Sequence, residues 1–127
     1  MIVGLGIDIV EPARIEQAAG RFGRRFLERL FTPAEIAYCD ARRNRFQRYA
    51  ARFAAKEAGM KALGTGWRRG VTWRDFEVVN LPSGRPTLRL SGAAAAMAAA
   101  LKVRSVVLSL SHTAGQSIAQ VILEGDG

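Results

Sequence analysis

Cysteine and histidine occur once each in these 127 residues, as Cys39 and His112. One cysteine cannot close an internal disulfide, and no cluster of cysteine and histidine has the spacing of a zinc site. Cys39 reads as ordinary core or surface. Long apolar runs are missing too. The longest are the first ten residues and the alanine-rich stretch from Gly92 to Leu101, both short of the ~20 residues of a membrane span. No membrane partner is expected. The amino terminus has no basic flank and Asp8 interrupts its apolar run, which fits neither a signal nor a transit peptide and leaves a cytoplasmic location as the expectation. A Walker loop is also lacking, since Gly64-Thr65-Gly66 has neither the lysine nor the remaining glycine spacing. A nucleotide hydrolase is therefore disfavoured.

Acidic residues are few, 11 against 19 basic ones, and the formal charge is +8. Something negative is expected to bind. Nucleic acid, an anionic membrane surface, a polyphosphate ligand and an acidic protein would all satisfy that charge, and net charge does not choose among them. Clustering argues against a merely solvated surface. Arg14, Arg21, Arg24, Arg25 and Arg29 fall in one short segment, and Arg42, Arg43, Arg45, Arg48, Arg52 and Lys56 in another that contains no acid.

The length and the 49% hydrophobic content suit one core, so a single domain over residues 1–127 is expected. Met1 to Val10 reads as a strand. Alternation puts Val3, Leu5, Ile7 and Ile9 on the face expected to be core, and Gly4, Gly6 and Asp8 on a face open to a ligand or another backbone. From Pro12 to about Leu30 the pattern is helical, with Ile15, Phe22 and Phe26 in phase, Gly20 and Gly23 splitting it, and Arg14, Arg21 and Arg25 toward solvent. Thr32-Pro33-Ala34-Glu35 is a capping box that starts a helix running to about Ala41. A longer helix spans about Arg45 to Leu63 and stops at Gly64. Phe76 to Leu81 and Pro86 to Leu90 form a hairpin. Ser91 caps an alanine-rich helix to about Leu101, and Arg104 to His112 and Gln116 to Glu124 are two further strands. That order predicts an α+β fold rather than a βαβ alternation.

Within the long helix Phe53, Glu57 and Lys61 are spaced by four and share one face. An exposed ion pair is the simpler reading of Glu57 and Lys61. Alternatively, carboxylates from two elements, Asp8 and Glu57, can hold one magnesium ion that takes its other ligands from water and phosphate oxygens. Lys61 would then neutralise charge in a phosphoryl transfer.

Gly6-Ile7-Asp8 and, about 45 residues later, Phe53-Ala54-Ala55-Lys56-Glu57-Ala58-Gly59-Met60-Lys61 resemble the two-part signature of phosphopantetheinyl transferases. Arg52 before the second motif, Ala62-Leu63-Gly64-Thr65-Gly66 after it, Gly84-Arg85-Pro86 and Ser109-Leu110-Ser111-His112-Thr113 extend the likeness to the short, holo-acyl-carrier-protein synthase branch. It covers essentially the whole chain. Alanine at position 54 departs from the serine or cysteine frequent in the broader superfamily, without touching a catalytic position.

The resemblance implies transfer of 4′-phosphopantetheine from coenzyme A to a serine of an acidic acyl carrier protein in fatty acid biosynthesis, with release of adenosine 3′,5′-bisphosphate. It implies an antiparallel or mixed sheet packed on helices, and a homotrimer with active sites between subunits. Asp8 and Glu57 would hold magnesium and Lys61 would steady the phosphates. Glu57 or a metal-bound water would take the serine proton. Gly64, Gly66, Pro86, Ser111, His112 and Thr113 match coenzyme-lining segments, and Arg43, Arg45 and Arg52 are candidates for the 3′-phosphate. Arg14, Arg21, Arg24 and Arg25 match the basic helical region that receives the carrier protein. The reading from another class is a small basic RNA-binding module, supported by Phe46, Tyr49, Trp67 and Trp73 near arginines. It makes Asp8 and Glu57 dispensable and has no RNP, KH or helix-turn-helix pattern, so no nucleic-acid partner is expected. A magnesium nuclease would need more carboxylates than these two.

Overall fold

Helix α4, Arg45–Leu63, is the element on which the rest is packed. The computed structural model describes residues 1–66 and 70–126; Trp67 lies outside the described residues. Before α4 come strand β1 (Ile2–Val10), helices α1 (Pro12–Phe22) and α2 (Arg24–Leu30), and α3 (Pro33–Asp40). After it come a 3₁₀ turn at Trp73–Asp75, the hairpin β2 (Phe76–Asn80) and β3 (Pro86–Leu90), helix α5 (Gly92–Ala100), and strands β4 (Val103–His112) and β5 (Ser117–Gly125). The fold is α+β, with a three-stranded antiparallel sheet in the order β1-β5-β4 beside the separate two-stranded hairpin.

Small residues let α4 lie close to the sheet. Its buried side includes Ala50, Ala54, Ala55, Ala58 and Ala62. Opposite them, a Cβ built on Gly4 or Gly6 would run into the carbonyl oxygens of Ala62 and Ala58. Helix and strand backbones therefore touch where no other residue fits.

This reverses the expected facing of β1. The glycine face is the packed one, and Leu5, Ile7 and Ile9 point away from α4, 56, 54 and 55% exposed. Val3 alone of that set packs against the core, beside the register shift between Ile2 and Gly4. The side that reads as core by hydrophobicity is uncovered in the single chain, because close approach of a helix selects for absent side chains rather than apolar ones.

Other boundaries differ in smaller ways. Gly20 lies inside α1, and the break falls only at Gly23, whose φ of 74° is the left-handed region glycine tolerates. Phe22, in phase with the core by spacing, is 61% exposed because the helix ends there. Ser91 stands at the N-cap of α5 without a side-chain cap bond. Asp75 does that work from outside the helix, its Oδ2 accepting from the Ala94 amide at 3.3 Å.

The capping box is present at α3, and its glutamate has a second role. Glu35 Oε1 accepts from the Thr32 amide at 2.9 Å and from Lys56 Nζ at 2.7 Å, while Oε2 accepts from the Val78 amide at 2.9 Å. Lys56 is wholly buried, so it does not belong to a surface basic patch. Burial holds its ammonium below the ordinary lysine value against the opposing pull of Glu35. Cys39 is core, and burial pushes its thiol up to about 11.

Candidate functional site

Asp8 sits near the end of β1, its side chain 17% exposed, and Lys61 on the last turn of α4 reaches across to it. Lys61 Nζ donates to Asp8 Oδ1 at 2.9 Å and to the Ile7 carbonyl at 3.0 Å. The i,i+4 ion pair with Glu57 is therefore not made. Glu57, one turn earlier on the same face, instead accepts from Trp73 Nε1 through Oε2 at 2.8 Å.

Lys61 thus joins the end of β1 to the last turn of α4, and Glu57 precedes it by one turn on the same helical face. Asp8 binds this ammonium from β1 and Glu57 stands one helical turn before it on α4, and each carboxylate has one oxygen, Oδ2 of Asp8 and Oε1 of Glu57, outside any hydrogen bond of the described residues. Hard oxygen donors in that number fit magnesium, which keeps water and substrate oxygens as its other ligands. Among the described residues no group of three histidine, cysteine or acidic side chains could hold a metal alone.

A cleft of about 230 Å³ opens between α3, the start of α4, the β2–β3 hairpin and the end of β4. Of the residues expected at the coenzyme, Arg52, Pro86 and His112 line it. Arg43 is exposed outside that lining, and Arg45 is drawn aside by Asp40 at 3.2 Å and lies over the Phe46 ring. Gly64, Gly66, Ser111 and Thr113 also lie outside the lining. Gly64 forms the left-handed end of α4, and the Thr113 amide closes the β4–β5 turn on the Gln116 carbonyl at 2.8 Å.

Arg52 is the unusual member of the cleft. It is only 4% exposed, and its Nε is buried with no hydrogen-bond partner. Its guanidinium lies 4.0 Å from the Tyr38 ring centroid, with that of Arg42 at 3.5 Å. Burial alone would raise the Tyr38 phenol, but the hydrogen bond with Asn80 and the charges of Arg52, Arg42 and Arg48 outweigh it and hold it below its ordinary value. Burying a cation without an ionic partner is costly, and an anion beside it would offset that cost.

Tyr38, Arg48 and Asn80 share this cleft, although none is among the residues expected at the coenzyme. Arg48 stands in the second basic cluster, one helical turn before Arg52, and that spacing is the signal for it. Tyr38 and Asn80 carry no such signal, since α3 and β2 meet α4 only in the folded chain.

Arg14, Arg21, Arg24 and Arg25 are exposed on α1 and α2. Arg24 pairs with Asp40 at 3.2 Å, and Arg14 faces Glu11 at 3.7 Å. Exposed Phe22, with Arg25, Phe26 and Arg29, lines a shallow groove of about 310 Å³ within this basic surface. Among the described residues the RNA-binding reading loses its stacking platform. Tyr49 is fully buried, Phe46 packs against it, and the Trp73 indole is engaged with Glu57.

Comparison with known proteins gives a consistent outcome. Residues 4–118 match the family model of the 4′-phosphopantetheinyl transferase superfamily. A holo-[acyl-carrier-protein] synthase of Solibacter usitatus is 57% identical over 124 residues, covering 98% of this chain and 99% of the relative. The crystal structure of such a synthase from Neisseria meningitidis superposes with a TM-score of 0.89 at 34% identity, over 98% of this chain and 99% of that one. The Helicobacter pylori enzyme, solved in complex with coenzyme A, gives a TM-score of 0.82 at 36% identity, over 94% of this chain and 99% of that one.

Proposed function

The chain belongs to the 4′-phosphopantetheinyl transferase superfamily, and from that membership we infer that it is a holo-[acyl-carrier-protein] synthase. It transfers 4′-phosphopantetheine from coenzyme A to apo-acyl carrier protein. The observation that supports this reading of its chemistry is the bond of Lys61 to Asp8 across β1 and α4, with Glu57 one turn before Lys61 on the same helical face.

In the reaction, the carrier-protein serine oxygen forms a bond to the phosphorus that bears pantetheine. The bond from that phosphorus to the bridging pyrophosphate oxygen breaks, and adenosine 3′,5′-bisphosphate leaves with the charge. The serine proton passes to Glu57 or to solvent. Asp8 and Glu57 are the residues that would hold magnesium. Bound there, the ion supplies charge neutralisation to the pyrophosphate. Lys61, already anchored by Asp8, adds a second fixed cation where negative charge accumulates. Arg52 receives a phosphate of the coenzyme, because it is a buried cation that lines the cleft and forms no ion pair of its own among the described residues. Arg14, Arg21, Arg24 and Arg25, exposed on α1 and α2 beside Phe22 of the same basic surface, receive the acidic carrier protein. Their charge raises the rate of encounter while the ring supplies apolar contact.

The working unit is a homotrimer. Its support is the uncovered stripe of Leu5, Ile7 and Ile9 on β1, which brackets Asp8 and is the kind of apolar patch that subunits cover. A pathway of fatty acid synthesis in the cytoplasm follows from the same reading. Among the described residues no helix is long and apolar enough to cross a membrane.

The test is the intact mass of apo-acyl carrier protein after incubation with this protein, coenzyme A and magnesium. A gain of one phosphopantetheine, lost with a chelator, is expected. No gain with several carrier proteins would overturn the substrate assignment.

A further inference from the structure

Glu57 is held by a neighbour that the reaction above does not use. Trp73 Nε1 donates to Glu57 Oε2 at 2.8 Å. The donor is itself fixed. Trp73 opens a 3₁₀ turn, which is closed on both sides: the Asp75 amide donates to the Thr72 carbonyl at 3.1 Å, and Thr72 Oγ1 donates to Asp75 Oδ1 at 3.3 Å. Beneath it, buried Lys56 donates to the carbonyls of Trp73 at 3.2 Å and Phe76 at 2.6 Å. Lys56 immediately precedes Glu57 on α4. The same helical turn therefore carries the carboxylate and the ammonium that anchors the backbone of the indole aimed at it.

An ionised carboxylate offers about four lone-pair positions. The indole occupies one on Oε2 and leaves Oε1 without a hydrogen bond among the described residues. A rigid donor on one oxygen restricts a flexible side chain to one orientation, so less order is lost when the other oxygen meets a cation. We propose that Trp73 is a positioning residue for Glu57, and that its indole N–H sets the affinity of the Asp8 and Glu57 carboxylates for a hard divalent cation. The inference rests on the reading of Glu57 as a metal-holding carboxylate. Groups that orient a metal ligand from behind commonly account for about 10- to 100-fold in affinity.

Trp73→Phe removes the N–H and keeps an aromatic ring in place. Manganese binding to protein saturated with coenzyme A, with no carrier protein and with a coenzyme-only blank, is followed by loss of the free-ion paramagnetic resonance signal. Binding weakens roughly tenfold or more in Trp73→Phe and collapses in Glu57→Ala. The double variant is no weaker than Glu57→Ala alone, as expected when one residue acts through the other. Unchanged affinity in Trp73→Phe beside an impaired Glu57→Ala overturns the positioning role and leaves the metal reading standing. Wild-type affinity in Glu57→Ala overturns both. If Trp73→Phe does not fold, the indole N–H resonance of Trp73 in otherwise unaltered protein decides. It shifts when magnesium is added and again in Glu57→Ala, and a resonance indifferent to both overturns the proposal.

Discussion

Lys56 Nζ lies 2.7 Å from Glu35 Oε1, and both side chains are completely buried. The pair joins α4 to the start of α3, and through the carbonyls of Trp73 and Phe76 it also ties in the entry to β2. Lys56→Met would leave Glu35 as a buried charge without its cation. Breaking such a pair from one side costs about 3–5 kcal/mol. Urea denaturation is expected to show a loss of that size. A loss below about 1 kcal/mol, within reach of an exposed pair, would mean the pair is not the joint described.

Arg52→Met keeps much of the buried stem and removes the guanidinium. Hydrogen bonds to charged groups contribute roughly 1.5–3 kcal/mol, so coenzyme A should bind about ten- to a hundredfold more weakly, with carrier-protein affinity unchanged. Isothermal titration with coenzyme A reads this directly. An unaltered dissociation constant would remove Arg52 from the coenzyme site.

Arg21→Glu reverses a charge that is exposed at the edge of the basic surface. Association with acyl carrier protein should slow, and its dependence on salt should flatten, because screening acts on attraction that is no longer there. Coenzyme A affinity stays the same. Stopped-flow association at two ionic strengths separates these outcomes, and equal damage to coenzyme binding would show that the basic helices serve the coenzyme instead.

Leu5→Lys places a charge in the uncovered stripe of β1 without touching the packed glycine face. Light scattering on the eluted protein should report a trimer for the wild type and smaller species for the variant, with transfer lost alongside. A wild type that is monomeric and fully active would end the shared-site reading.

Cys39 gives a prediction in pH. The folded thiol titrates near 11 against an ordinary value of 9.0, because burial disfavours the thiolate. The folded state thus holds a proton that the unfolded chain releases first. Its contribution is intact below pH 9 and is lost as pH rises toward 11. Denaturation midpoints of wild type and Cys39→Ala should converge over that interval. Parallel curves would show that the thiol takes no part.

Much of this molecule is legible from local patterns. The bounds of α4 follow from its periodicity and the left-handed Gly64. The start of α3 follows from Thr32 and Glu35, and the β2–β3 hairpin from its turn residues. Asp8, Glu57 and Lys61 could be singled out from spacing and family likeness. Their partners could not be assigned. Lys61 ignores the glutamate four residues away for an aspartate 53 positions distant, and a carboxylate one turn back is claimed by an indole.

Elements and their order were determined by the sequence alone, because caps, glycine stops and helical or strand periodicity act within a few residues of one another. The facing of β1, the burial of Lys56 with Glu35, the isolation of Arg52 beside Tyr38 and the hold of Trp73 on Glu57 were decided only by the tertiary structure. Each depends on which surfaces meet. Close packing of α4 on Gly4 and Gly6 turned the apolar side of β1 outward, and enclosure by α3 and β2 made an ordinary lysine and arginine into buried cations that require partners.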